Sequence, residues 1–306
     1  MKYLNLYYWA NETNVGDVAS FYVVSHISKN NVRIKSPFIS FKNIIFNIIK
    51  FFLGRESHVR LFLKEYLFFN EKVLLGIGSI LDYANQKCLV WGSGFREYGS
   101  KTNCKQIYAV RGYLSLQRLN LENKQIAIGD PAILLPYIYQ PNRRQTYKQV
   151  SIIPHYKDHE MICTLNNRNR NIINIMTNDV EEFIDQIVSS KFVLSTSLHG
   201  VIIAHAYHIP ALWIKCGYVG SSDFKYYDYF SSVRIEDYPD LRAEEVVGYS
   251  DDEIFSLFEL YNKQSLPQIN VEKLRVQLLA SAPFELKDMF KKILYQNEKE
   301  KNTVCN

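Results

Sequence analysis

Cysteine offers this chain little. Its 306 residues hold five, Cys88, Cys104, Cys163, Cys216 and Cys305, an odd number scattered along the length. No two have the spacing of a zinc site or of a redox C-x-x-C motif, so reduced thiols in a cytoplasm are the simplest reading. No stretch approaches the roughly 20 consecutive apolar residues of a membrane span. Met1–Leu6 is too short an apolar run for a signal peptide and lacks a cleavage site, which makes the cytoplasm the expected location. There is no Lys/Arg-rich run, finger spacing or RNP-like strand, so nucleic acid is not an expected partner. The net charge of +5 allows an anionic ligand without demanding one. Several catalytic signatures are also missing. There is no Gly-x-Ser-x-Gly elbow and no Walker loop, and Gly76-x-Gly78 lacks the third glycine of a dinucleotide fingerprint. His205 and His208 lie three apart without a third ligand at zinc spacing, so no metal is expected.

What is present is a globular composition, 47% hydrophobic with 22 Tyr and 18 Phe, which suits a packed core and also suits a sugar-handling surface. The first half repeats one pattern of apolar strand, small-residue turn and helix. Tyr3–Trp9 is the first strand and Val18–Ile27 the first helix, with Asp17 in N-cap position. Val73–Leu75 runs into Gly76–Ser79, and Lys87–Val90 into Trp91–Gly94. Gln106–Val110 runs into Arg111–Gly112 with a helix through Leu119, and Gln125–Ile128 into Gly129–Pro131. Glycine at the carboxyl end of five continuous apolar strands predicts a parallel, doubly wound sheet.

Residues 140–149 are polar and read as a linker. A second α/β unit follows: strands over Val150–Ile153, Ile172–Met176, Lys191–Leu194 and Ala211–Ile214, with helices over Val180–Ser189 and Val201–Tyr207. The predicted fold is therefore α/β with two Rossmann-like units, residues 1–140 and 150–264. Residues 265–306 form a closing helix after Pro267 and a polar tail. The segment 38–55 is apolar and punctuated by Lys42, Lys50 and Arg55. It reads either as a helix on an anionic bilayer surface or as a core helix.

The turn Ser195-Thr196-Ser197-Leu198-His199-Gly200 joins a strand to a helix, where backbone N–H groups and the helix dipole favour an anion. In open α/β sheets ligands bind at this end of the strands. His199 and the hydroxyls of Ser195, Thr196 and Ser197 make one candidate anion pocket. Arg111 offers a planar fork for carboxylate or phosphate, or else pairs with a surface carboxylate. Lys225 offers a second positive charge, or is a solvated loop lysine. Asp17 either activates and orients a hydroxyl or is a plain cap. His155, ahead of Tyr156, either contacts substrate or makes a structural hydrogen bond. Asp130, before Pro131, reads as a turn-fixing residue.

In their order along the chain, seven pieces resemble the polysaccharide pyruvyl transferase family: Asn14-x-Gly16-Asp17, Gly76-x-Gly78-Ser79-Ile80-Leu81, Trp91-Gly92-Ser93-Gly94, Val110-Arg111-Gly112-x-x-Ser115, Gly129-Asp130-Pro131-Ala132, Ile153-Pro154-His155-Tyr156 and Ser197-Leu198-His199-Gly200. The aromatic stretch Phe224–Ser231 around Lys225 extends the likeness to about residue 235. The resemblance implies a fold like that of the two-domain GT-B glycosyltransferases with an interdomain cleft. It also implies an activity that moves the enolpyruvyl carbons of phosphoenolpyruvate onto two sugar hydroxyls as a ketal. It makes His199, Asp17 and Arg111 the catalytic candidates. Asn14, Gly16, Gly78, Ser79, Gly92, Ser93, Gly94, His155, Tyr156, Ser195, Thr196, Ser197, Leu198, Gly200 and Lys225 become substrate-binding candidates. The first unit is then the acceptor side and the second the phosphoenolpyruvate side, with phosphoenolpyruvate a co-substrate and no other cofactor. Some members carry arginine two positions before the histidine, where this chain has Ser197, so another cation must hold the donor's charge. In such a reaction His199 is the candidate acid, or the group that protonates the departing phosphate, because a histidine titrates near neutral pH. The implied acceptor is a sugar of a growing surface polysaccharide, with a polyprenyl-diphosphate-linked form motivated by segment 38–55. A nucleotide-sugar glycosyltransferase and a non-catalytic glycan-assembly binding protein are the alternative readings.

Overall fold

The computed structural model describes residues 3–9, 13–36, 71–119, 125–141, 148–217 and 223–304. The amphipathic segment 38–55 lies outside the described residues, as does most of the polar linker.

Two parallel sheets organise the described chain. The first runs β2(Val32–Ile34), β1(Leu4–Tyr7), β3(Val73–Leu75), β4(Cys88–Trp91), β5(Ile107–Val110), β6(Ala127–Ile128) in spatial order. The second runs β10(Ala211–Trp213), β9(Ser190–Ser195), β7(Lys148–Ile153), β8(Asn171–Ile172). Every pairing in both is parallel. β3 and β4 are buried along their whole length, as strands covered on both faces must be. The predicted α/β class with two parallel sheets is what the chain adopts, consistent with a GT-B-like architecture.

Several details differ from the sequence reading. The first helix, α1(Val15–Ile27), starts three residues before the predicted Val18. Its N-cap is Asn14, whose side chain accepts from the Gly16 amide at 2.9 Å. Asp17 is thus a residue of the first helical turn rather than the cap, where its charge meets the positive end of the dipole. β2, short, half-exposed and polar at Arg33, had no apolar run to announce it. The strand expected over Ile172–Met176 shrinks to Asn171–Ile172. The chain then leaves the sheet, and the Ile175 carbonyl accepts from the Val15 amide at 2.9 Å, tying the second unit to the start of α1.

Between the strands of the second unit lie α3(His159–Leu165), α4(Val180–Val188) and α5(Leu198–Ala206), while α2(Tyr113–Leu116) is a single turn of the first unit. α6(Phe224–Val233), α7(Ala243–Val246) and α8(Asp251–Leu260) follow β10. The single closing helix predicted over 265–296 is two helices, α9(Val271–Ala280) and α10(Asp288–Val304). Pro283 in the break cannot donate to a helical carbonyl and disfavours helix in the residue before it.

One continuous core runs through both units. It contains Leu6, Val15 and Ala19 from the first, Ile184, Val201 and Ile202 from the second, and Leu278 and Phe290 from the returning C-terminal helices. A 3-10 helix, Pro131–Tyr137, packs against α5 and is capped by Asp130, whose Oδ1 accepts from the Ala132 amide at 2.9 Å. The C-terminal helices return to the first unit: Trp91 Nε1 donates to the Leu278 carbonyl at 2.9 Å, and Leu286 bridges Ser28. Arg275 on α9 knits three segments together. Its Nε donates to the Ile133 carbonyl at 2.9 Å and its Nη2 to the Ala206 carbonyl at 2.7 Å. Arg275→Ala strands both buried carbonyls, so we expect a loss of about 2–4 kcal/mol in unfolding free energy, read as a lower urea midpoint. A midpoint equal to wild type would mean that the joint is held by packing alone.

Candidate active site

The carboxyl ends of both sheets open onto a cleft of about 290 Å³. From the first unit come Trp9 after β1, Asn14 and Asp17 at the start of α1, Gly78, Ser79, Ile80 and Tyr83 after β3, and Arg96 after β4. From the second come His155, Tyr156 and Lys157 after β7, Ser197, Leu198 and His199 at the start of α5, and Lys225 in the first turn of α6. Trp9 and Tyr83 stack with centroids 6.0 Å apart, which makes an aromatic wall on the first unit.

Two helix N-termini, one from each unit, converge here. At α1 the end is satisfied internally by Asn14 and by the bond to Ile175. At α5 the cap residue Ser197 makes no capping bond with its side chain, and Ser197, Leu198 and His199 at this helix start line the cleft. The two ends nearly touch. A Cβ on Gly16 would lie 2.1 Å from His199 Nδ1, so only glycine lets the imidazole sit against α1.

Behind the cleft wall is a buried ion pair. Arg111 Nε donates to Asp228 Oδ2 at 3.0 Å, and Nη2 lies 3.0 Å from the same oxygen; both side chains are fully buried. The rest of the guanidinium donates to the Phe95 carbonyl at 2.6 Å and to Ser79 Oγ at 2.5 Å. Asp228 also accepts from the Ser115 amide and hydroxyl, each at 2.7 Å. The pair spans the two units, since Arg111 follows β5 and Asp228 lies on α6. The approach is backbone-tight, because a Cβ on Gly112 would fall 1.7 Å from the Asp228 carbonyl oxygen. Removing one partner of such a pair costs ~3–5 kcal/mol, because the other is left buried and charged.

The titratable groups of the cleft are strongly perturbed. His199 is half-exposed as a residue, yet its Nε2 is enclosed and without a partner. Burial, then the fields of Arg111, Lys225 and His155, push its pKa down to about 3. Burial and the charges of Lys225 and Lys157 push His155 down to about 3. Both are neutral imidazoles. Lys225 is pushed down to about 8, by burial first and Arg111 second, against the pull of Asp158. The charged side chains lining the cleft are Arg96, Lys157 and Lys225 against Asp17, so the cleft favours an anion.

The structure sorts the sequence candidates. Asn14, Asp17, Gly78, Ser79, His155, Tyr156, Ser197, Leu198, His199 and Lys225 share the cleft. Arg111 does not line it. Its donors are committed to Asp228, Phe95 and Ser79, so its partner is a buried carboxylate of the other unit, and it reaches a ligand only through the Ser79 hydroxyl. Ser195 and Thr196, expected to supply hydroxyls to an anion, turn inward instead. Ser195 Oγ is buried 2.9 Å from the carbonyls of Ile153 and Ser197, and Thr196 Oγ1 accepts from the His155 amide at 2.8 Å and donates to Asp158. Ser195 Oγ also accepts from the Ser197 amide at 3.0 Å, so each of these two hydroxyls satisfies a backbone amide near the turn. Ser93 likewise bonds the Gly76 carbonyl at 2.5 Å, Gly92 packs on Pro131, Gly94 on Arg111, and Gly200 on Ser195. These shape the turns rather than touch a ligand. Sequence reasoning missed Asp228 as the partner of Arg111. The available signal was an aspartate amid aromatic residues, three positions after Lys225 and so on the same helical face.

Two parallel-sheet units that close a cationic cleft over two helix starts define a transferase-type α/β architecture. The chain belongs to the polysaccharide pyruvyl transferase family, whose sequence model matches residues 14–218. It is also similar to the uncharacterized protein L143 of Acanthamoeba polyphaga mimivirus, 32% identical over 171 residues that span 52% of this chain and 60% of that protein. The chain thus matches less than two thirds of that relative's length. No solved structure matches it.

The buried imidazoles make stability pH-dependent. His155, His199 and His205 have pKa values pushed down by burial to about 3, about 3 and about 4, from 6.5. Between these limits the unfolded chain binds protons that the folded chain refuses, so stability falls as pH drops below about 6.5. Urea midpoints measured from pH 7.5 to 5 should decline steadily. A flat profile would mean that these rings are charged in the fold.

Proposed function

We propose that the protein transfers the enolpyruvyl group of phosphoenolpyruvate to two hydroxyls of a sugar, forming a ketal and releasing phosphate. The observation that carries this reading is the cleft of a family member in which neutral His199, Lys225 and the open start of α5 meet. The donor's phosphate sits at the α5 amides. Ser79, whose oxygen is held by Arg111, keeps its own proton free to donate to the donor's carboxylate. The sugar approaches from the first unit, with one ring face on the Trp9–Tyr83 pair and a hydroxyl donating to Asp17. His199, neutral when the sugar arrives, accepts the proton of the attacking hydroxyl and passes it to the departing phosphate. A nucleotide sugar is a poorer fit, because no acidic residue of the second unit lines the cleft to hold a ribose.

The test is incubation with phosphoenolpyruvate and a panel of nitrophenyl glycosides. Phosphate release with a mass gain of about 70 Da on the sugar is the expected result. Transfer from a nucleotide sugar instead would establish a glycosyltransferase, and binding of glycans without turnover a non-catalytic role. His199→Ala should lower kcat by ~100-fold or more, and full activity in this variant would remove His199 from the chemistry.

The acceptor in this reading is carried on a polyprenyl diphosphate, which the apolar and basic segment 38–55 would meet at an anionic membrane face on the cytoplasmic side. Among the described residues no helix is long and apolar enough to cross a membrane. Flotation with anionic vesicles should therefore require Ile45 and Ile48, and undiminished flotation of an Ile45→Asp, Ile48→Asp variant would refute the surface role of this segment.

A further inference from the structure

We infer that Lys225 is the acid that protonates the methylene carbon of the donor, an assignment that rests on phosphoenolpyruvate being that donor. The reaction cannot begin without a proton at this carbon, and few groups in the cleft have one to give. His155 and His199 are neutral, and His199 is needed as a base at the same moment. Arg111 is committed to Asp228, Phe95 and Ser79 behind the wall, and a guanidinium such as that of Arg96 serves as a fixed charge rather than a proton donor. Lys157 is exposed at the rim, its Nζ 5.7 Å from the Tyr156 ring centroid. Asp17 faces the acceptor.

Lys225 differs from these by placement. It occupies the first turn of α6, three residues before Asp228, so one helical face carries both. The buried pair with Arg111 fixes that face against the first unit, and Lys225 is thereby held at the cleft between donor and acceptor sides. Among the described residues its Nζ makes no hydrogen bond or ion pair. The Tyr226 ring lies beneath it with its centroid at 5.1 Å. The charges around it come from every neighbouring element: Arg111 after β5, Arg96 after β4, Lys157 and Asp158 after β7, and the neutral His155 and His199. Burial first, and then the cations Arg111, Arg96 and Lys157, make the ammonium more acidic than an ordinary lysine, against the opposing pull of Asp158. An acid that holds its proton in the resting state yet yields it readily is what the step requires.

The proton balance closes. The Lys225 ammonium gives a proton to the methylene carbon as the C=C π electrons form the new C–H bond, which leaves the adjacent carbon electron-poor. The first sugar hydroxyl bonds to that carbon and its proton goes to His199. The carbon–oxygen bond to phosphate breaks, and the phosphate takes the proton held by His199. The second hydroxyl closes the ketal and returns its proton to the Lys225 amine, so both groups end as they began.

The decisive experiment compares wild type, Lys225→Arg and Lys225→Ala on the nitrophenyl glycoside that wild type turns over. Arginine keeps the charge but cannot donate the proton. Lys225→Arg should lose ~100-fold or more in kcat with the KM for phosphoenolpyruvate within about threefold of wild type. In wild type, kcat/KM should fall as pH rises through about 8, where free Lys225 gives up its proton, and this limb should vanish in Lys225→Arg. Propylamine should restore part of the activity of Lys225→Ala, with a rate that follows the protonated amine; this readout stands even if the arginine variant folds poorly. Near-wild-type kcat in Lys225→Arg with the alkaline limb intact, or a change confined to KM, would reduce Lys225 to a binding charge and overturn the assignment alone. A wild-type enzyme that never releases phosphate from phosphoenolpyruvate would overturn the donor reading and the assignment together.

Discussion

The buried pair of Arg111 and Asp228 is the interaction on which the cleft depends. It joins a strand end of the first unit to a helix that follows the second sheet, with no water-exposed atom on either side chain. Its two charges are far from any solvent that could replace them, so the joint is close to all-or-none. Everything around it serves to satisfy what remains of the two groups. Ser115 fills the carboxylate, Phe95 and Ser79 fill the guanidinium, and glycine at 94 and 112 lets the backbones approach. A network completed in this way fixes geometry more than it adds stability. What it fixes is Ser79 on one wall of the cleft and Lys225, one helical turn from Asp228, on the other.

The same pair sets the electrostatics of the cleft. Arg111 stands behind the wall with a formally neutralised charge, yet it still depresses both His199 and Lys225. A full cation fork inside the cleft would grip an anion more strongly. Placing the fork behind a hydroxyl leaves Ser79 polarised, while the direct charge comes from Arg96, Lys157 and Lys225. Ser197, the cap of α5, brings no charge, and Lys225 enters the cleft from α6.

The architecture was legible in the residues because it is written locally. Each apolar run ended by glycine marks the carboxyl end of a parallel strand, and Val73–Leu75 with Gly76–Ser79 predicted both the strand and its place at the cleft. The resemblance carried by the order of such turns implies that His199, Asp17, Ser79 and His155 share a cleft, and all four line it. What escaped has a common cause. Arg111 and Asp228 are 117 residues apart, and nothing near either residue announces the other. Ser195, Thr196 and Ser197 are three hydroxyls in a row, but only side-chain direction decides which face the cleft. That direction follows from the amides of Ser197 and of His155, just after β7, which the Ser195 and Thr196 hydroxyls satisfy. Pairing partners and backbone debts are tertiary facts, whereas turns and caps are local ones.

The two units also meet tightly at the cleft, where a Cβ on Gly16 would lie 2.1 Å from His199 Nδ1. At Gly16 any added atom would drive the imidazole off its helix start. The position of His199 is therefore gauged by a backbone of the opposite unit, not by a hydrogen bond to its ring. That leaves Nε2 without a partner in a site where a buried polar atom ordinarily has one. The ring is thus located by contact instead of by a hydrogen bond. The cost of leaving Nε2 unsatisfied is borne by the same interface that the ion pair holds shut.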